Sequence, residues 1–61
     1  MEIFTDEKTG RKYTKYYFTF ALSTKEEAEK IIKKELSQKE IKEIKFIEWY
    51  NYFDCVAYVF I

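Results

Sequence analysis

The chain has 61 residues, which is enough for one domain with one small hydrophobic core. Eleven basic residues balance eleven acidic ones, which excludes a strong net charge as the means of attracting nucleic acid or an anionic membrane. One cysteine and no histidine exclude an internal disulfide and argue against a structural zinc site, so we expect no metal and no cofactor.

Two β-strands are predicted before the first helix. The segments MEIFT and KYTKYYFTFAL are rich in β-branched and aromatic residues, and the only glycine, Gly10, lies between them. Glycine adopts a positive φ without steric cost. Lys8 to Arg11 is therefore predicted to be the tip of a hairpin.

Side chains of the second strand fall into two sets, because successive side chains point to opposite faces of a sheet. The apolar set is expected to face the helix and contains Tyr16, Phe18, Phe20 and Leu22. The opposite set mixes cations with tyrosines and contains Arg11, Tyr13, Lys15, Tyr17, Thr19 and Ala21. This strand is therefore predicted to have one dry side and one wet side.

The segment STKEEAEKIIKKEL predicts an amphipathic helix. Ser23 precedes Glu26 at the spacing of a capping box, which predicts the helix start. Helical periodicity places the apolar residues in one stripe, made of Ala28, Ile31, Ile32 and Leu36. We expect this stripe to pack on the sheet.

The helix is predicted to end between Ser37 and Lys39, because the following isoleucines fall on the wrong side of the stripe. Ser37 and Glu40 repeat the capping spacing, which favours one further helical turn there. Glu35 falls inside the stripe. Either it reaches water or a lysine such as Lys39 at the sheet margin, or it is presented to a partner chain.

Two more strands follow, IKFIEWY and FDCVAYVFI, and the turn-forming residues Asn51 and Asp54 mark the place where they meet. A bulge near Phe46 and Ile47 would bring the apolar residues of the first of these strands onto one face. Glu48 is then either an exposed charge at the sheet edge or a carboxylate at an interface.

The last strand is apolar on both sides, which predicts a central position in the sheet. The single helix can cover only one face. We therefore expect an aromatic, largely uncharged patch on the other face. Together these features predict a single α+β domain over residues 1–61, in which a four-stranded, mainly antiparallel sheet of ββαββ order packs one helix on one face.

No enzymatic chemistry is predicted. Cys55 lies in an apolar strand, where a thiol is usually inert, and no histidine is present to activate it. A single glycine excludes the glycine-rich loops that bind phosphate. Most acidic residues alternate with lysines, as on a solvated helix face.

The uncovered patch predicts a protein-interaction module that self-associates, most simply as a homodimer, because large apolar patches on soluble chains usually mark interfaces. Small adaptors, inhibitors and accessory proteins of mobile elements share this element order. A different protein partner is an alternative occupant of the mixed stripe of the second strand, whose composition is also that of an ordinary solvent-facing strand. The interface is predicted at Tyr17, Trp49, Val56, Tyr58 and Phe60.

Single-stranded nucleic-acid binding is the alternative function, with tyrosines stacking on bases and cations holding phosphates. It would use the wet side of the second strand, at Arg11, Tyr13, Lys15 and Tyr17. Zero net charge places this alternative second.

The opening MEIFTDE resembles neither a secretory signal nor a membrane segment, so we expect a soluble, cytoplasmic protein with no membrane partner. Abundant Lys and Glu with few side-chain amides indicate either a thermophilic origin or an AT-rich genome, such as a viral one.

Overall fold

A computed structural model describes residues 1–61 and contains four strands and one helix in the order ββαββ. The elements are β1 (Phe4–Thr5), β2 (Lys12–Phe20), α1 (Lys25–Glu35), β3 (Glu40–Glu48) and β4 (Phe53–Phe60). All strand pairs are antiparallel, in the order β1-β2-β4-β3. The predicted α+β class and ββαββ sheet are confirmed.

The central strand is β4, as its apolar residues on both sides predicted. Cys55 and Ala57 on the helix side are fully buried, and Val56 on the other side is 5% exposed. A strand that buries both faces must have neighbours along both edges, and β2 and β3 provide them.

The first turn forms around Gly10, which has the positive φ of 74° that the sequence predicted. Its N–H donates to the carbonyl oxygen of Asp6 at 2.7 Å, and the Thr9 hydroxyl donates to the Asp6 carboxylate at 2.7 Å. This side-chain bond lowers the pKa of Asp6. Strand β1 is only two residues long, so it covers a small part of β2.

The helix begins one residue later than predicted. Thr24, rather than Ser23, is the N-cap: its hydroxyl accepts from the Glu27 N–H at 3.1 Å, and the Glu27 carboxylate accepts from the Thr24 N–H at 3.2 Å. The sequence contains two overlapping capping boxes, because Ser23 and Thr24 are each followed three residues later by a glutamate. Spacing alone could not distinguish them.

The helix also ends earlier than predicted, at Glu35 with Leu36 as the C-cap. The prediction of a further helical turn capped by Ser37 is wrong. Glu40 is already the first residue of β3, and its carboxylate binds Arg11, so it is not available to cap Ser37. Glu35 is exposed and has no cation within 4 Å, so it does not pair with Lys39.

The core lies between one side of α1 and the helix-facing side of β4. It consists of Ala28, Ile32, Leu36, Cys55, Ala57 and Val59. Aromatic residues of β2, including Phe18, pack around it as predicted. Two expected core residues are wrong: Ile31 is 45% exposed at the margin of the stripe, and Leu22 is fully exposed because β2 ends at Phe20.

The bulge of β3 lies between Ile41 and Glu43, not near Phe46. Regular alternation after it places Ile44 and Phe46 against the core. Glu48 therefore stays on the helix side, where it pairs with Lys25 as an exposed edge charge. The hydrogen bond from Lys25 lowers the pKa of Glu48.

Candidate interaction surface

The sheet face opposite the helix, here called the open face, carries all of the predicted interface and nucleic-acid-binding residues. Rows of side chains cross it from β2 through β4 to β3. These rows are Tyr13–Phe60–Glu40, Lys15–Tyr58–Glu43, Tyr17–Val56–Lys45 and Thr19–Asp54–Ile47. The two predicted sets therefore share one surface, because β2 and β4 are direct neighbours.

Four aromatic rings lie together at one end of the open face. Phe4 of β1 stacks on Tyr13 with 5.5 Å between ring centroids. The Tyr13 ring meets Tyr58 edge to face at 6.0 Å and Phe60 at 6.4 Å. Such contacts stabilise a sheet beyond the burial of the rings themselves.

Four cations from β2, its preceding turn and β3 extend over these rings. The Arg11 guanidinium carbon lies 4.0 Å from the Phe60 centroid, and the Lys15 ammonium lies 4.8 Å from that of Phe4. On the other side, the Lys42 ammonium is 5.1 Å from the Tyr13 ring and that of Lys45 is 5.5 Å from Tyr58. We call these eight residues the cation–aromatic cluster. Each contact is worth about 0.5–1 kcal/mol at an exposed site.

The cluster corrects the expectation of a largely uncharged patch around Tyr58 and Phe60. Both residues are only partly exposed, and Val56 is buried. Long basic side chains lay their apolar stems along neighbouring rings while their charged ends reach water. The chain thus covers part of its second sheet face with its own lysines and arginine.

Charges in the cluster are only partly neutralised. Arg11 donates two hydrogen bonds to Glu40, at 2.8 and 2.9 Å, which raises the pKa of Arg11 and lowers that of Glu40. Lys42 lies 3.8 Å from the Glu43 carboxylate. Two cations, Lys15 and Lys45, have no carboxylate within 4 Å.

The other end of the open face exposes apolar side chains, here called the aromatic patch. It consists of Tyr17 (66% exposed), Ile47 (45%), Trp49 (54%) and Tyr52 (40%). These values mean that the chain itself does not cover them. The patch lies beside the buried Val56, so it continues the apolar surface of β4.

Asp54 holds the tryptophan of the aromatic patch in place. Its carboxylate accepts a hydrogen bond from the Trp49 indole N–H at 2.9 Å and another from the Thr19 hydroxyl at 2.8 Å. Tyr52 stacks on the indole, with 6.1 Å between centroids. The polar edge of Trp49 is therefore satisfied within the chain, and its apolar surface faces solvent.

Sequence reasoning missed five residues of this surface, namely Phe4, Lys42, Lys45, Ile47 and Tyr52. Phe4 is found only through the pairing of β1 with β2. The residues of β3 were missed because the bulge was placed too late in the strand. Alternation counted from Ile44 and Phe46 would have placed Lys45 and Ile47 on the open face.

Features outside the open face offer no alternative site. The Cys55 thiol is fully buried, which raises its pKa, and the neighbouring Asp54 carboxylate raises it further. No group of three Cys, Asp or Glu side chains could hold a metal ion. The one surface depression lies on the outer side of α1 among charged side chains. The helix is too short to span a membrane.

The chain matches no protein-family model, and no curated protein and no solved structure is significantly similar to it.

Proposed function

We propose that this chain is a non-enzymatic protein-interaction module that self-associates through its open face, most simply as a homodimer. The observation that carries the proposal is the aromatic patch. Its partly exposed side chains present roughly 400 Å² of contiguous apolar surface, given that large side chains have 150–250 Å² each. The largest apolar patch on a typical monomer measures about 300–600 Å² and is often functional.

The dimensions of the open face suit a second copy. Three strands about 4.8 Å apart and eight or nine residues long, together with the two-residue β1, span roughly 450 Å², so two stacked faces bury about 900 Å² in total. This area is typical of weak, transient complexes. We therefore expect a dimer of moderate, micromolar affinity rather than an obligate one.

Charge also favours a second copy over a strongly acidic or basic partner. The open face carries the cations Lys15, Lys42 and Lys45 together with the acids Glu40 and Glu43. A two-fold axis can place opposite signs against one another across the interface. The central contacts would come from Trp49 and Tyr17, which belong to the residue types that dominate interface energies.

The substitution Ile47→Lys tests the open-face dimer. Each interface loses two half-exposed isoleucines, worth about 1 kcal/mol each, so the dissociation constant should rise by about 30-fold. Analytical ultracentrifugation over a concentration series measures this change. The circular dichroism spectrum should stay unchanged, because Ile47 lies on an edge strand outside the core.

The matched control is Ile31→Lys. Ile31 is also 45% exposed, but it lies on the helix, away from the open face. It should leave the dissociation constant within about twofold of the original. A wild-type chain that stays monomeric at high micromolar concentration, or equal effects of the two lysines, would contradict the proposal.

Single-stranded nucleic-acid binding is the second candidate, supported by the unneutralised pair Lys15 and Lys45. Their ammonium groups lie 6.0 and 5.5 Å from the centre of the Tyr58 ring, on either side of it. Two of the predicted residues are less available: Arg11 is held by Glu40, and the Tyr13 ring is covered by Lys42. The candidate site therefore narrows to Lys15, Tyr17, Lys45 and Tyr58.

Reversal of charge at Lys15 tests this candidate. Lys15→Glu should weaken binding to a single-stranded oligothymidine or oligouridine by about tenfold or more at low salt, because a phosphate contact is replaced by repulsion. Fluorescence anisotropy in a salt titration measures it, with Lys30→Glu on the outer side of α1 as the control. Salt-independent binding, or no binding at low salt, rules this candidate out.

A further inference from the structure

The outer edge of β2 is paired over only a small part of its length. Strand β1 pairs with it through Phe4 opposite Tyr13 and Thr5 opposite Lys12, whereas β2 continues to Phe20. No strand pairs with β2 on this side beyond Tyr13. Near Thr14 the N-terminal residues still lie against β2, because the Thr14 hydroxyl donates to the carbonyl oxygen of Glu2 at 2.6 Å. The stretch from 15 to 20 is therefore a free sheet edge.

Backbone directions along this edge follow from two hydrogen bonds. The carbonyl oxygen of Arg11 accepts from Asp6 on the β1 side at 2.8 Å, and that of Lys12 accepts from Ile61 on the β4 side at 3.0 Å. In an antiparallel sheet, the backbone groups of successive residues face the two neighbouring strands in turn. The N–H and C=O groups of the odd-numbered residues of β2 therefore point away from β4. Lys15, Tyr17 and Thr19 thus direct both N–H and C=O groups outward, with no strand to meet them.

This edge lacks the devices that normally prevent pairing. Natural edge strands are short, bulged, or rich in charge and proline. The free stretch of β2 has a single charge, Lys15, with no proline and no bulge. The opposite edge of the sheet, β3, has five charged residues among its nine and contains the bulge at Ile41–Glu43.

We propose that a second copy of this chain pairs its β2 with this edge, antiparallel and with Tyr17 of each copy facing the other. Lys15 then lies opposite Thr19, and Tyr16 lies opposite Phe18. All outward N–H and C=O groups of Lys15, Tyr17 and Thr19 find partners. The two four-stranded sheets become one continuous sheet with both helices on the same side.

Only this register uses the whole free edge. A shift by two residues in one direction requires Tyr13, whose outward groups already face β1. A shift in the other direction requires Ala21, which lies beyond the end of β2. The register is thus fixed by the length of the free stretch.

The pairing is self-complementary in charge and shape. No like charges meet, because the only charged residue, Lys15, faces Thr19 of the second copy. Aromatic residues face one another on both sides of the new sheet, a favourable cross-strand combination. In this register Phe20 of the second copy lies opposite Thr14, beside Ile3 of the first copy, and its chain leaves the sheet there because β2 ends at Phe20. Ile3 is 59% exposed in the single chain.

The edge pairing goes beyond the open-face dimer, because it uses a different surface and leaves the open face uncovered. Thr19→Pro tests it. Proline removes the outward N–H of Thr19 but no bond to β4, and edge strands tolerate proline. Thr19→Ala is the matched control, since it also loses the Asp54 contact but keeps the N–H. The proline variant should raise the dissociation constant of the edge dimer at least tenfold over the alanine variant.

Amide hydrogen exchange provides the second measurement on the unaltered chain. At high concentration the amides of Lys15, Tyr17 and Thr19 should exchange at least tenfold more slowly than at low concentration, whereas an open-face dimer leaves them unpaired. Ile47→Lys should not affect this protection. Fast exchange of these three amides at concentrations where the chain is dimeric, or equal dissociation constants for the Thr19 variants, would overturn the edge pairing.

Discussion

Ile32→Ala should leave the chain largely unfolded or lower its melting temperature by at least about 10 °C. Ile32 is fully buried between α1 and the central strand and is the largest completely enclosed side chain. Such truncations cost about 2–5 kcal/mol, whereas a domain of this size has a total stability of only about 3–5 kcal/mol. Thermal and urea unfolding followed by circular dichroism measure the loss.

The adjacent isoleucine provides the control. Ile31 is 45% exposed, so Ile31→Ala removes the same atoms from a half-solvated site and should cost about 1 kcal/mol or less. Equal losses from the two alanine variants would mean that the core is not where the helix packs on β4. Self-association stabilises the folded state by mass action, so both measurements belong at the same low concentration.

Native Cys55 should react with iodoacetamide roughly 10²- to 10³-fold more slowly than the same thiol in the unfolded chain. The side chain is fully buried, and both its burial and the neighbouring Asp54 raise its pKa, which disfavours the reactive thiolate. Labelling then requires opening of the domain. A stability of about 3–5 kcal/mol keeps the open form rare, at a tenfold reduction for every 1.4 kcal/mol. Mass spectrometry of quenched samples gives the rate.

A cysteine moved to an exposed position shows whether slow labelling is due to burial of the thiol or to a reagent that reacts slowly with every thiol. In the double variant Cys55→Ala, Tyr17→Cys, the new thiol lies at a position that is 66% exposed in the wild-type chain, and it should react at nearly the unprotected rate. Ile32→Ala, with Cys55 retained, should also accelerate labelling because it populates the open form. Rapid labelling of Cys55 in the stable wild-type chain would contradict a buried central strand.

The central position of β4 could be predicted from the sequence because the stretch from Cys55 to Ile61 has no charge on either side and must be covered on both. The strands that lie on either side of β4 could not be predicted in the same way. Alternation gives the side on which Lys15 or Lys45 lies, but only the order β1-β2-β4-β3 brings both lysines to Tyr58. The expected uncharged patch was wrong for this reason: residues 55–60 of β4 are uncharged, while their neighbours across the sheet are not.

Local ambiguities explain the remaining differences. Two overlapping capping boxes shifted the helix start by one residue, since Thr24 and Glu27 fit the motif as well as Ser23 and Glu26. The bulge leaves no composition signal, so its place at Ile41–Glu43 depends on the pairing of β3 with β4. The free edge of β2 likewise depends on where β1 ends, which the run MEIFT does not reveal.

The irregular, highly charged outer margin of β3 limits how far edge-to-edge assembly can extend. A molecule with two receptive margins can add copies without end and grow into a ribbon or fibre. Here only the β2 margin is receptive, so the proposed edge pairing would end with two copies, and a third copy would have to bind through the open face. Lys42 and Glu43, at the distortion of β3, would then prevent a protein rich in aromatic strands from extending its sheet into a fibre.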